Sequence, residues 1–267
     1  MRLATWNVNS IRSRIDRLEA WLARTEVDVL ALQESKAKDE QFPYERLQAM
    51  GFEVAHRGYN QWNGVAILSR VGLTDVQVGF VGMPQWGDPA ADEARAIGAT
   101  VGEGDEAVRV WSVYVPNGRH LTDPHMDYKM AWLEALLAEA KGWAAGGTPV
   151  ALCGDWNIAP FDEDVWSMEY YLDKSHVSPR ERAAFHAFLD AGFVDVVRPH
   201  TPGPGTYTYW DYQRLAFQKR RGMRIDFVLG SPAFADRVLG AAIDREERKG
   251  TGASDHAPVV VELGAPR

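Results

Sequence analysis

Carboxylate, amide and imidazole side chains recur in this sequence where apolar segments end. The segments are predicted strands, and a carboxylate buried beside a strand costs free energy unless it has a partner. Taken singly, each of these residues is explained by a turn cap or a surface ion pair. Taken together, they predict one polar site at the edge of a sheet, formed by Asn7, Glu34, Tyr114, Asp155, Asn157, Asp226, Asp255 and His256.

The side-chain types limit the chemistry of this site. Carboxylate and amide oxygens, with one histidine and no cysteine among them, suit a hard cation such as Mg²⁺, with Mn²⁺ as a substitute. Zinc would need further His or Cys ligands, and His256 has none at a metal-site spacing. An ion of this kind, completed by a substrate phosphate, serves phosphoryl transfer. The sequence has no glycine-rich nucleotide loop, so we expect water as the nucleophile and a phosphate ester as the substrate.

Asp255 and His256 are adjacent, immediately before the apolar run APVVVEL. Neighbouring side chains of an extended chain point to opposite faces, so these two should have separate tasks. If Asp255 faces the metal, His256 needs another carboxylate to orient its ring, and Asp226 is suited to that task. Such a pair favours the protonated imidazole, which can contact a phosphate. A histidine that only caps a strand is the structural alternative.

The elements that position these residues are predicted from apolar runs and helical spacing. Ile11, Ile15, Leu18 and Leu22 form one helical stripe, Asp123-Pro124 opens a second helix, and a capping box of Ser178 and Glu181 opens a third that Gly192 ends. Strands are predicted over Leu3–Trp6, Val27–Gln33, Gly64–Ser69, Ile97–Val101, Val108–Val115, Pro149–Cys153, Thr206–Trp210, Ile225–Leu229 and Ala257–Leu263.

Two internal echoes predict a duplicated fold. LATWNVNSI pairs with VALCGDWNIAP, and GVAILSR pairs with RIDFVLG. Strands mixed with amphipathic helices indicate an α+β protein with helical cover over its sheets. No Pro/Ser-rich linker interrupts the chain, so we expect one domain over residues 1–267.

Composition narrows the setting of the protein. Its 267 residues are 46% hydrophobic and 25% charged, as in ordinary globular proteins. The sequence carries no secretory signal and no apolar run near the ~20 residues of a membrane helix. A lone cysteine, Cys153, excludes an internal disulfide, fits the reducing cytoplasm, and is predicted to be a buried, inert thiol. We expect a cytoplasmic monomer that does not bind membranes.

Charge bears on the partner of the protein. The net charge of −8 argues against a protein that coats nucleic acid but allows local binding. One basic run, QRLAFQKRRGMR, contains Arg214 and Arg224. Most runs of this kind are solvated surface loops, and only neighbouring residues give one a binding role.

The motifs also occur in a familiar order: ATWNVNSI, DVLALQESK, NGVAILSR, YVPNG, CGDWNIAP, YTYWDY, MRIDFVL and SDHAPV. This ordered set resembles the exonuclease III family of apurinic/apyrimidinic endonucleases, within the endonuclease/exonuclease/phosphatase superfamily. The resemblance covers nearly the whole chain. It implies a four-layer α/β sandwich, in which two packed mixed β-sheets are flanked by helices and the halves are pseudo-duplicated.

The resemblance also implies a role for each site residue. Glu34 is the principal metal ligand, with Asn7, Asn9 and Asp255 at the metal site. Asp155 deprotonates the attacking water, and Asn157 positions it. Tyr114 hydrogen-bonds the phosphate, while Asp226 orients His256, which stabilises the charge of the transition state. The substrate-binding residues are Asn117, Arg119, Tyr209, Trp210, Arg214, Met223, Arg224 and Ile225.

These roles imply a Mg²⁺-dependent DNA repair phosphodiesterase. It would incise double-stranded DNA 5′ to abasic sites, with 3′-to-5′ exonuclease and 3′-phosphatase action at blocked 3′ ends. An abasic nucleotide is the easiest to flip out, because it has no base to unstack. Two alternatives stay open at this point. One is a phosphoinositide phosphatase or sphingomyelinase-like phosphodiesterase of the same superfamily, and the other is a catalytically silent DNA-binding module.

Overall fold

The computed structural model of the protein describes residues 1–266, whose strands form two six-stranded mixed sheets. Sheet one contains β1 (Arg2–Asn7), β2 (Val29–Gln33), β3 (Glu53–Arg57), β4 (Val65–Ser69), β11 (Val238–Ile243) and β12 (Val259–Leu263). Sheet two contains β5 (Leu73–Val78), β6 (Ala96–Val101), β7 (Val108–Tyr114), β8 (Val150–Asp155), β9 (Val194–Asp195) and β10 (Asp226–Gly230).

Helices cover the outer faces of both sheets. On sheet one lie α1 (Ile11–Thr25) and α2 (Tyr44–Ala49), and on sheet two lie α3 (Pro124–Ala145) and α5 (Pro179–Asp190). The short helices α4 (Met168–Tyr171) and α6 (Pro232–Ala235) sit in connections. The predicted helix starts are confirmed. Asp123 caps α3, and Ser178 forms the capping box of α5 with Glu181. No helix among residues 1–266 has the length and apolarity to span a bilayer.

Apolar layers between the two sheets and on the outer face of each sheet hold the sandwich together. Aliphatic side chains such as Val29, Val110 and Val228 fill the space between the sheets. The helix stripe of Ile11, Ile15, Leu18 and Leu22 packs on the outside of sheet one, as its spacing predicts. Each fully buried leucine there contributes about 1.5–3 kcal/mol. Cys153 lies in the middle layer, and burial raises the pKa of its thiol, so the predicted inert state follows. The four-layer fold is confirmed.

The two sheets have the same internal topology. Sheet one runs β11-β12-β1-β2-β4-β3 and sheet two runs β5-β6-β7-β8-β10-β9. In each, only the third and fourth strands pair in parallel. GVAILSR and RIDFVLG therefore occupy equivalent places, β4 and β10. The other proposed pair is wrong, because LATWNVNSI forms β1, whose equivalent is β7, whereas VALCGDWNIAP forms β8, whose equivalent is β2.

Some strands differ from the sequence prediction. β3, β5, β9 and β11 were not predicted, and β5 and β11 form sheet edges with mostly exposed or half-exposed side chains and irregular register. The predicted strand Thr206–Trp210 is wrong, because that segment contributes only isolated bridges from Tyr209 to Met223 and His256. These bridges still matter, because they hold Tyr209 directly against His256.

Candidate active site

Strand register in sheet two places three of the predicted site residues in one row. Tyr114 on β7 lies opposite Asp155 on β8, and Asp155 lies opposite Asp226 on β10. All three stand at a strand terminus beside the end of sheet one that carries Asn7 and Glu34. The side chains of both sheets therefore meet in one cavity of about 170 Å³.

A buried amide joins the two sheets. Asn7 Nδ2 donates to Glu34 Oε1 at 2.8 Å and to Asp155 Oδ2 at 3.0 Å. Asn7 Oδ1 accepts the backbone N–H of Asn9. The Lys36 ammonium lies 2.9 Å from Glu34 Oε2. Burial opposes ionisation of Glu34, but the Lys36 charge and these hydrogen bonds outweigh burial and lower its pKa, so Glu34 is a carboxylate at neutral pH.

Asp155 is almost fully buried among charged groups. Its Oδ1 accepts the backbone N–H of Asn157 at 2.9 Å, and its Oδ2 lies 3.7 Å from His256 Nε2. Burial raises the pKa of Asp155 to about 7, even though the positive charge of His256 acts in the other direction. A carboxylate with a pKa near neutrality is suited to accept a proton from water.

His256 is held by Asp226 as the sequence predicts. His256 Nδ1 donates to Asp226 Oδ2 at 2.8 Å, and both residues are nearly inaccessible to solvent. Burial alone would lower the pKa of His256, but the charges of Asp226 and Asp155 raise it to about 10. The ring is therefore an imidazolium at neutral pH, with Nε2 directed into the cavity. Asp255 also borders the cavity, but it accepts a hydrogen bond from Asn9 and makes none to the His256 ring, as expected for adjacent residues.

Asn157 and Tyr114 complete the wall of the cavity. Asn157 Nδ2 donates to the carbonyl of Val115, and Asn157 Oδ1 accepts from Asn117 Nδ2 at 3.1 Å. Burial and the charge of Glu34 raise the pKa of Tyr114 well above its ordinary value, which keeps the phenol protonated as a donor.

Several site residues turn the chain sharply where a strand ends. Asn9, Glu34 and Asn157 have φ values of 43°, 52° and 50°, in the left-handed region that non-glycine residues seldom adopt. Glycine is required nearby at Gly64, because its φ is 107° and an added Cβ would collide with Ser35 Oγ. Backbone strain of this kind persists where the surroundings fix the conformation, as they do here.

The donor set fits a hard cation. Ligand atoms of Glu34, Asp155 and His256 lie within 4.8 Å of one another. His256 is protonated and donates to Asp226, so it is not a free nitrogen ligand, and oxygen donors remain. The Lys36 ammonium already bridges Glu34 and the side-chain oxygen of Asn9, so these oxygens attract positive charge. The cluster can therefore hold a metal ion through Glu34, with Asn7, Asn9 and Asp255 nearby.

The predicted substrate residues divide into three groups. Asn117, Tyr209, Met223 and Ile225 line the cavity. Arg119 and Arg214 are exposed beyond it, and Trp210 is buried behind it against Tyr207 and Phe217. The predicted substrate-binding role of Arg224 is wrong. Its side chain is buried, and it donates to both carboxylate oxygens of Asp195 at 2.7 and 2.9 Å. Arg224 is therefore a structural ion-pair residue and not a DNA contact.

Three residues of the site were not predicted from the sequence. His176 lines the cavity, with Nε2 3.2 Å from Asn157 Oδ1, and burial and the charge of Lys129 lower its pKa to about 4, so it is neutral. Lys129 and Glu181 form a fully buried ion pair behind it. The Lys129 ammonium also donates to the carbonyls of Asn157 and Asn117, and Glu181 accepts the His176 N–H. His176 had no motif, and Lys129 sits on a helix where lysine normally faces solvent.

The cavity combines a carboxylate whose pKa is near neutrality, an imidazolium, and a cluster of oxygens for a cation. At the edge of a β-sandwich, this combination is that of a phosphoester hydrolase. A sequence model of the endonuclease/exonuclease/phosphatase family matches residues 4–256. An exodeoxyribonuclease from Bacillus subtilis is 31% identical, over 97% of this chain and 98% of its own length.

Solved structures extend the comparison. A Neisseria 3′ phosphatase bound to a product DNA hairpin superposes with a TM-score of 0.91, at 38% identity and 99% coverage of both chains. An AP endonuclease from Archaeoglobus fulgidus superposes with a TM-score of 0.90, at 32% identity over 99% of this chain and 100% of its own. The chain belongs to the endonuclease/exonuclease/phosphatase family and, within it, to the exonuclease III group of DNA repair phosphodiesterases. The phosphoinositide and sphingomyelin alternatives are not favoured by these relatives.

Proposed function

We propose that this protein hydrolyses phosphate esters of double-stranded DNA with Mg²⁺, by incision 5′ to abasic sites and by removal of nucleotides or phosphate from 3′ ends. The observation that carries the proposal is the meeting of Glu34, Asp155 and the Asp226–His256 pair in one cavity. Similarity to a 3′ phosphatase and to an AP endonuclease supports both substrate types. We further propose that it acts as a single-domain monomer in the cytoplasm.

The chemistry follows from the protonation states. Asp155, with a pKa of about 7, accepts the proton of the attacking water, while the amide of Asn157 orients that water. The His256 imidazolium, held by Asp226, and the phenol of Tyr114 donate to the phosphate oxygens that gain charge in the transition state. Glu34, with Asn7, Asn9 and Asp255, would hold Mg²⁺, which when bound neutralises phosphate charge and the leaving oxygen.

A panel of three duplexes tests the proposal. The first contains one abasic analogue, the second a 3′-phosphate, and the third a recessed 3′ end with an intact nucleotide. Each is incubated with Mg²⁺ and with EDTA, and products are resolved by length. Cleavage that stops in EDTA is expected. Cleavage that persists in EDTA, or no hydrolysis of any duplex, would overturn the proposal.

Asp155→Asn is the matched control for this panel. The amide cannot accept the proton of water, so turnover should fall by roughly 10²–10⁴-fold. Affinity for the duplex should stay within a few-fold, because the substitution keeps the shape of the side chain. Turnover that survives this substitution would contradict the assignment of Asp155 as the base.

A further inference from the structure

A second cavity adjoins the catalytic one and has no part in the chemistry above. It has a volume of about 330 Å³, and we call it the aromatic groove, defined by Trp166, Tyr170, Tyr171, Lys174, Arg214 and Arg221. His176, Tyr209 and Met223 line both cavities, so the groove begins where the catalytic cavity ends. A group that extends past those three side chains therefore enters the groove.

The groove combines ring faces with positive charge. The Lys174 ammonium lies 3.1 Å from the centre of the Tyr170 ring, and the Arg221 guanidinium lies 4.8 Å from that of Trp166. Tyr170 is 42% exposed, and because Lys174 covers one face of its ring, a ligand can contact only the remaining exposed surface. Among residues 1–266, no ion pair engages Lys174, Arg214 or Arg221, although Asp211 also lines the groove. Ring faces beside cations suit a flat aromatic group attached to phosphate.

The proposed reaction dictates where such a group comes from. In the proposed removal of an intact 3′-terminal nucleotide, the scissile phosphate would occupy the catalytic cavity beside Asp155 and His256, and the departing sugar would lie toward Tyr209 and Met223. Its base extends beyond the catalytic cavity, which is about half the volume of the groove. A substrate that ends in a 3′-phosphate has nothing to place there.

We propose that the aromatic groove binds the base of the 3′-terminal nucleotide that is being removed, by stacking on Tyr170 and its neighbours. This inference rests on the proposed function and goes beyond it, because it assigns a separate subsite to base-bearing 3′ ends. The groove reads no sequence, since every base has a ring face to stack. It makes exonuclease action separable from 3′-phosphatase action within one active site.

The kinetic test compares two substrates with one variant. Wild type and Tyr170→Ala are assayed on duplexes that end in a 3′-terminal nucleotide or in a 3′-phosphate. One stacked base is worth about 1–3 kcal/mol, so the ratio of kcat/KM for the nucleotide to kcat/KM for the phosphate should fall by about 5- to 150-fold in the variant. Tyr170→Phe keeps the ring and should keep the wild-type ratio.

A fluorescence binding test measures stacking of the base directly. The inactive Asp155→Asn protein is mixed with a duplex that carries fluorescent 2-aminopurine as its 3′-terminal base. Stacking in the groove should change the fluorescence, and adding Tyr170→Ala should abolish that change while a label one helical turn inside the duplex stays unaffected.

The outcomes separate the two proposals. If Tyr170→Ala lowers both activities equally, or changes neither, the groove is not a base subsite, and the proposed function stands. If Tyr170→Phe is as defective as Tyr170→Ala, the hydroxyl acts instead of the ring, and stacking is overturned. If the wild type hydrolyses neither duplex, the proposed function fails and this inference fails with it.

Discussion

The Lys129→Met variant should lose about 3–5 kcal/mol of its free energy of unfolding, because the Glu181 carboxylate stays buried without a cation. In the wild type, the Lys129 ammonium lies 2.5 Å from Glu181 Oε1 and 2.7 Å from the carbonyl of Asn157, and both charged side chains are fully buried. Methionine occupies similar space but donates no hydrogen bond. The carbonyl of Asn117 loses its donor as well.

Urea unfolding at pH 7 measures this loss, and Lys129→Met/Glu181→Gln is its matched control. The double variant removes the unpaired charge, while the glutamine oxygen can still accept from the His176 N–H. Most of the lost stability should therefore return, because replacing both members of a buried pair is far milder than removing one.

The pH dependence gives an independent check. In the wild type, burial would raise the pKa of Glu181, but the Lys129 charge lowers it. That stabilisation is present above the unfolded pKa of about 4.3 and is lost as the pH falls through the lowered folded value. In Lys129→Met the carboxyl is buried without a cation, so its pKa rises, and protonation removes its penalty. The stability difference between wild type and variant should narrow as the pH falls from 7 toward about 4.

In the same two variants, catalytic turnover should stay low even where the double substitution restores stability. Lys129 ties the loop of Asn157 to the loop of Asn117, and a displacement of about 1 Å at such a site can cost about 10²-fold in rate. Both variants should therefore turn over at least tenfold more slowly than wild type. A single variant that loses less than about 1 kcal/mol, or a double variant no more stable than the single one, would refute the reasoning.

Three further predictions concern the site and its supports. In Asp226→Asn, the alkaline limb of the kcat/KM profile should move from near pH 10 toward about 6.5. The reason is that the raised pKa of His256 keeps its ring an imidazolium until the pH passes the folded value. An unchanged limb in rate assays on a 3′-phosphate duplex would contradict this. In Glu34→Gln, the Mg²⁺ concentration for half-maximal rate should rise at least tenfold in a metal titration, and an unaltered requirement would remove Glu34 from the metal site. Ser178→Ala should lower the free energy of unfolding by about 1 kcal/mol through loss of the α5 capping box, measured by urea unfolding against Ser167→Ala, which caps only the short α4.

Local sequence patterns predicted the central elements of the fold. The buried strands β2 and β8 are continuous apolar runs, and the capping box of Ser178 and Glu181 marks the start of α5. The edge strand β5 escaped prediction because its side chains are largely exposed and LTDVQV contains no apolar run. The duplication was visible as an echo, but Trp-Asn recurs at strands that are not topologically equivalent, so register could not be derived from it.

The site residues that stand at the end of a predicted strand were predictable from the sequence. The polar residues after β1, β2 and β8 meet as their positions imply, and the Asp226–His256 contact is present. Partners distant in the chain were not predictable. Arg224 looked like part of a basic surface run because nothing in the sequence links it to Asp195, 29 residues away. His176 and Lys129 were missed for the same reason, since their functions arise only from packing.

The order in which the chain fills sheet one has a consequence for synthesis. β12 follows every strand of sheet two in the chain, yet it pairs with β1, and Trp6 Nε1 donates to the carbonyl of His256. A nascent or truncated polypeptide that stops before Asp255 therefore lacks both the imidazolium and the strand that holds it against the first residues. Nuclease chemistry therefore cannot begin until β12 has been synthesised and has paired with β1.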